Sequence, residues 1–160
     1  MIRTELLFRQ SIEFMKMGGT ADYSTGGTRY RPVHECVMEA LECGAHIDSI
    51  SFSSDGHGGV RREDKITGTV TYTPAPMDGN YREVVALVKE CGMPLDQAIR
   101  PITVNPTRHM HLTGKGQLLP GYDADVCILD PDSLALDSVM SRGRWAMTHN
   151  NILMKGRYES

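Results

Sequence analysis

The chain has 160 residues, 40% of them apolar and 23% charged, with a formal net charge of −3 and a pI near 6.0. That length suits a single domain, and the composition points away from both disordered and membrane proteins. A mildly acidic chain without a Lys/Arg cluster offers little to nucleic acid or to an anionic membrane surface, so small-molecule chemistry is expected.

The first element is a helix over Glu5–Met17, where Leu7, Phe8, Ile12, Phe14 and Met15 follow helical spacing and Gly18-Gly19 supplies the stop. This pattern begins almost at residue 1 with no strand before it, the start expected of a chain cut from a longer fold. Thr20–Ser24 reads as a short strand, and Pro32–Cys43 as a second helix with Pro32 in its first turn and Gly44 after its end. Ile47–Ser53 is β-branched and contains Phe52, which predicts a strand ending at Ser54-Asp55-Gly56 before a glycine-rich loop. Tyr81–Cys91 is a third helix. Leu95–Arg100 is a fourth, and a fifth follows Pro106 through Met110 and Leu112.

Single strands alternating with helices of this length predict βα units and a parallel sheet, because parallel neighbours need crossover connections. Such sheets bind ligands at the C-terminal ends of their strands, where Asp55 falls. After Gly114-Lys115-Gly116 the texture changes, and Ala124–Leu129, Leu136–Ser141, Trp145–Thr148 and Ile152–Lys155 read as four strands joined by turns.

No signal peptide opens the chain, and no run approaches the roughly 18 apolar residues of a membrane span. Cys36, Cys43, Cys91 and Cys127 lack paired metal spacing and read as buried free thiols in a reducing cytoplasm.

The chemistry centres on Ser53-Ser54-Asp55-Gly56-His57-Gly58-Gly59. A carboxylate at a strand's end, flanked by glycines, can approach a metal or ligand closely. On spacing alone, Asp55 is equally a turn residue, as Asp-Gly pairs often are. His57 is two residues on and can reach the same mouth, but an exposed loop histidine is the simpler reading. His109-Met110-His111 imitates a metal-binding His-x-His pair. Asn105-Pro106 before it suits a helix start, and helical positions two apart diverge by about 200°, so the two cannot share a metal. His34, His46 and His149 have no partners at ligand spacing and read as surface or helix-face residues.

A second signature runs from Leu112 to Asp130 around Gly116-Gln117-Leu118-Leu119-Pro120-Gly121-Tyr122-Asp123-Ala124-Asp125. It resembles the passage by which the amidohydrolase superfamily leaves its (β/α)₈ barrel for a small β-sandwich domain, with Arg142-Gly143 and Gly156-Arg157-Tyr158 resembling that domain's closing strands. Arg3-Thr4, Gly18-Gly19-Thr20-Ala21-Asp22 and Ser53-Ser54-Asp55-Gly56 further resemble the bacterial isoaspartyl (β-aspartyl) dipeptidases. The likeness spans nearly the whole chain but only the C-terminal part of such an enzyme.

This resemblance implies an α/β fold: residues 1–113 as the last βα units of a TIM-type barrel, and 114–160 as a segment of the β-sandwich. It implies zinc, two ions in the family, held by a His-x-His pair, a carboxylated lysine, two later histidines and one aspartate. Asp55 matches that aspartate, a metal ligand that also carries the proton from the metal-bound water to the leaving amine. Arg3 matches an arginine that reads a substrate carboxylate. In the family a histidine stands three residues before that arginine and an asparagine immediately before it; here the asparagine's place holds Ile2. Gly59 stands where the family tends to carry a serine that touches substrate.

The remaining ligands precede residue 1 in the family's order, so only one is retained. The implied activity is zinc-dependent cleavage of the amide of β-aspartyl dipeptides, a small dipeptide substrate, with the isolated chain expected to be inactive. Two alternatives stand beside it. One is a non-catalytic remnant or half-protein that needs its N-terminal half as partner or forms a homo-oligomer. The other is an amidohydrolase acting on a cyclic amide or an N-acyl amino acid.

Overall fold

A computed structural model describes residues 4–26, 30–56 and 58–155. Arg3, His57 and Gly156-Arg157-Tyr158 lie outside the described residues. The chain falls into two compact units, residues 1–109 and 110–160.

Helix α1 (Glu5–Lys16) starts where the Thr4 hydroxyl accepts the Leu7 N–H at 3.3 Å, with Glu5 in the first turn and Lys16 in the last. It ends in a Schellman closure: the Gly19 N–H donates to Phe14 O at 3.0 Å and the Gly18 N–H to Met15 O at 2.9 Å, with Gly18 at φ +93°. Its buried stripe is Phe8, Ile12 and Met15. Strand β1 (Ala21–Ser24) runs parallel to β2 (Ile50–Ser53), with Asp22 opposite Ser51 and Ser24 opposite Ser53. Helix α2 (Val33–Glu42) makes the crossover that a parallel pair requires.

Pro32 at the start of α2 has no side chain that can cap, and the orphan His34 N–H is instead taken by Glu83 of helix α3 (Gly79–Lys89) at 2.9 Å. Tyr23, Ile50 and Phe52 point into a core shared with Phe8, Val37, Val84 and Leu87. Alternation along a strand turns Asp22, Ser51 and Ser53 to the other face, where Ser51 Oγ donates to Asp22 Oδ1 at 3.1 Å and Ser53 Oγ donates to Asp22 Oδ2.

The strand expected over Ile47–Ser53 begins three residues late, because Ile47–Ser49 forms a 3₁₀ turn. Asn105, fully buried, explains the boundary: its Nδ2 donates to the carbonyls of Ile47 and Ile50 at 2.8 Å each. Helix α4 (Leu95–Ala98) and a 3₁₀ turn at Arg100–Ile102 lead to helix α5 (Val104–His109). That last helix contains Pro106 and stops at His109, short of the expected Met110 and Leu112.

An antiparallel hairpin, β3 (Gly59–Glu63) with β4 (Val70–Pro74), stands where the sequence predicts a glycine-rich loop, because its periodic signal is weak. The alternation Val70-Thr71-Tyr72-Thr73 is its signal, although nearly every residue is exposed.

The second unit is a four-stranded antiparallel sheet in the order β5-β6-β7-β8, comprising Val126–Leu129, Leu136–Ser141, Arg144–Thr148 and Asn151–Ile152. The fourth strand is shorter than the expected Ile152–Lys155. Lys115 Nζ reaches Asp123 and Asp125 at 2.7 Å each, and Asp125 accepts the Arg142 N–H at 2.8 Å. The Pro-Gly-Tyr-Asp-Ala-Asp passage thereby ties itself to the β6–β7 turn.

The four cysteines are free, but only Cys36 is buried; Cys43 and Cys127 are exposed and Cys91 is intermediate. The expectation of buried thiols fails because Cys43 ends its helix and Cys127 lies on an open sheet face.

Candidate functional site

Parallel pairing brings the C-terminal ends of β1 and β2 to one end of the sheet, and Asp55 lies two residues beyond β2. Its backbone is left-handed, φ +50°, a conformation that Asp tolerates better than most residues. The Gly58 N–H donates to Asp55 O at 2.8 Å, and the Gly56 N–H donates to the Ser54 hydroxyl at 3.2 Å. These bonds close a turn that leaves the Asp55 residue exposed. The chain that carries it is packed too tightly for any side chain at Gly26, whose Cβ would stand 1.9 Å from the Ser54 carbonyl oxygen.

Gly59 opens β3 opposite Pro74, four residues after Asp55, and is exposed. Among the described residues a Cβ there would meet only the Tyr72 ring, at 3.6 Å, ordinary van der Waals contact. Asp55 and Gly59 therefore belong to one turn-and-hairpin segment at the strand ends.

Among the described residues, His34, His46, His109 and His149 have structural partners. His109 ends α5 with Nε2 2.9 Å from the Asp48 carbonyl, while His111 lies beyond the helix at φ +54°. His34 Nδ1 is 2.8 Å from Glu83 Oε2 and its Nε2 is 3.6 Å from Glu90. His46 accepts the Asp48 N–H at 3.3 Å, and His149 Nδ1 is 3.4 Å from Asp137.

At the opposite end of β2, Asp48 pairs with Arg100 at 2.5 Å and Arg108 at 3.5 Å. Burial pushes the Asp48 carboxyl up, but the hydrogen bond and charge of Arg100, with Arg108 and His46, outweigh it and hold the pKa below the usual value. This cluster sits at the N-terminal end of the strand, where barrel residues serve stability.

Among the described residues no three His, Cys, Asp or Glu side chains converge as a metal site. A catalytic zinc takes about three protein ligands, so the described residues do not by themselves fit one. Among the same residues no helix is long and apolar enough to cross a membrane.

The fold belongs to a recognisable class. Residues 15–151 match the model of the amidohydrolase family, and the chain belongs to that family. Its members are enzymes, generally metal-dependent.

Among solved structures, the chain is similar to the β-aspartyl dipeptidase of Fervidobacterium islandicum AW-1 in complex with β-Asp-Leu dipeptide. The TM-score is 0.82 at 29% identity, over 98% of this chain and 40% of that one. It shares its fold with the N-acetylglucosamine-6-phosphate deacetylase of Pasteurella multocida, at TM-score 0.58 and 14% identity over 79% of this chain and 36% of that one. Among curated relatives, adenine deaminase 2 of Oenococcus oeni is 34% identical over 68 residues, 42% of this chain and 12% of that protein. Adenine deaminase 2 of Jannaschia sp. is 43% identical over 63 residues, 39% of this chain and 10% of that protein. The chain thus spans well under half of each relative. Its fold is part of a β/α barrel followed by a β-sheet, as the sequence led us to expect.

Proposed function

We propose that this chain carries the aspartate of a metal-dependent hydrolase centre of the β-aspartyl dipeptidase type. The observation that carries the reading is the position of Asp55 at the C-terminal end of a parallel strand, in a chain that follows a β-aspartyl dipeptidase over 98% of its length. In this reading Asp55 is a zinc ligand and moves a proton between water and the leaving amine, while Arg3 and Gly59 face the substrate. The substrate is a small β-aspartyl dipeptide, and neither nucleic acid nor a membrane surface is a partner. The four free thiols agree with a cytoplasmic setting.

The other ligands must come from outside the described residues, from an N-terminal half of the barrel or from another copy of the chain. One carboxylate does not hold zinc at useful affinity. The purified 160-residue chain is therefore expected not to hydrolyse β-Asp-Leu with or without added zinc. Chelator-sensitive hydrolysis by the chain alone would overturn the requirement for further ligands.

A second reading keeps the family and changes the substrate, to a cyclic amide or an N-acyl amino acid. Gly59 in place of the expected serine favours it, and the adenine deaminase relatives show that stretches of similar sequence occur in proteins with other substrates. Measuring β-Asp-Leu hydrolysis against hydrolysis of a cyclic amide and of an N-acetyl amino acid, in a barrel completed by an N-terminal half and loaded with zinc, separates the two readings.

A further inference from the structure

We propose that Asn80, acting with Thr25, is a positioning residue for the Asp55 turn; the functional weight of this rests on the reading of Asp55 as the catalytic carboxylate. Asn80 lies in the first turn of α3. Its Oδ1 accepts the Thr25 hydroxyl at 2.7 Å, and its Nδ2 donates to the Phe52 carbonyl at 3.3 Å. Thr25 also donates its backbone N–H to Ser53 O at 2.7 Å, and its hydroxyl oxygen is 3.4 Å from the same carbonyl. The Asn80 amide thus links Thr25, the residue after β1, to Phe52 of β2, while Thr25 itself holds Ser53, the last residue of β2; Asp55 follows two residues later.

Two glycines permit this approach. A Cβ at Gly79 would lie 2.7 Å from Thr25 Oγ1, and one at Gly26 would lie 1.9 Å from Ser54 O. Larger residues at either position would push α3 or the end of β1 away from the Asp55 turn. The amide is suited to the place because it offers an acceptor to a hydroxyl and a donor to a carbonyl from one rigid plane. Helix α3 is anchored in the core by Val84 and Leu87, so its first turn is a firm support for a left-handed, exposed residue whose own segment buries little.

The test uses the 160-residue chain and NMR, and does not pass through metal or hydrolysis, so it stands or falls separately from the proposed activity. Asn80→Ala is expected to raise the exchange rate of the Gly58 amide about tenfold or more. It is also expected to average out the scalar coupling and NOE pattern that mark positive φ at Asp55, with the amides of Val84 and Leu87 still protected. Asn80→Asp, which loses the donor to Phe52, is expected to behave similarly. Thr25→Ser, which keeps the hydroxyl, is expected to match the parent, while Thr25→Val follows Asn80→Ala. Unchanged Gly58 exchange and Asp55 coupling in Asn80→Ala would overturn the proposal. If that variant loosens α3 as a whole, the two Thr25 variants decide, and identical behaviour of Ser and Val overturns it as well.

Discussion

Glu83 of α3 takes both the backbone N–H of His34, at 2.9 Å, and its Nδ1, at 2.8 Å, so that one buried carboxylate caps α2 and holds the side chain of its second residue. It replaces the capping group that Pro32 lacks. Glu83→Ala leaves an N–H and an imidazole without their acceptor, and we expect a loss of about 2 kcal/mol in urea denaturation. Glu83→Gln keeps an acceptor oxygen and should lose less. Equal stability of Glu83→Ala and the parent would show that the cap contributes nothing.

Asp48 leads to a pH prediction. Its folded pKa lies below the unfolded value of 3.8, so the stability it contributes is complete above that value and disappears as pH falls through the depressed one. Asp48→Asn should therefore be less stable than the parent at pH 7, and the two denaturation midpoints should converge in acid below about pH 3.8. A gap that persists unchanged into strong acid would place the effect in packing instead.

Two glycines beside the turn should respond very differently to substitution. Gly26→Ala drives a Cβ against the backbone oxygen of Ser54, which cannot swing aside, and is expected to cost about 3 kcal/mol. Gly59→Ser meets, among the described residues, only the Tyr72 ring at ordinary distance and should change stability by about 0.5 kcal/mol or less. Thermal midpoints of the two variants check both statements. A Gly59→Ser variant as unstable as Gly26→Ala would mean that Gly59 is kept for space and not for substrate.

Much of the barrel segment was legible because its helices bury periodic stripes such as Phe8, Ile12 and Met15, and its breaks are marked by Gly18, Gly44 and Gly92. The position of Asp55 followed from the strand before it. What escaped was set by contacts far apart in sequence. Asn105 ends the 3₁₀ turn 55 residues earlier by bonding Ile50 O, and Asn80 reaches Thr25 across 55 residues. Glu83 carries no local signal of its role, because the helix it caps begins about fifty residues earlier in the chain. The hairpin after Gly59 buries almost nothing, so hydrophobic alternation, the usual strand signal, is weak there.

The central claim is that Asp55 belongs to a metal-dependent hydrolytic centre. It is tested most directly by replacing the matching 40% of the F. islandicum β-aspartyl dipeptidase with this chain and measuring kcat/KM for β-Asp-Leu, with and without Asp55→Ala. We expect chelator-sensitive hydrolysis that zinc restores and that Asp55→Ala lowers about 10³-fold. A folded, active chimera in which Asp55→Ala retains its activity would contradict the assignment.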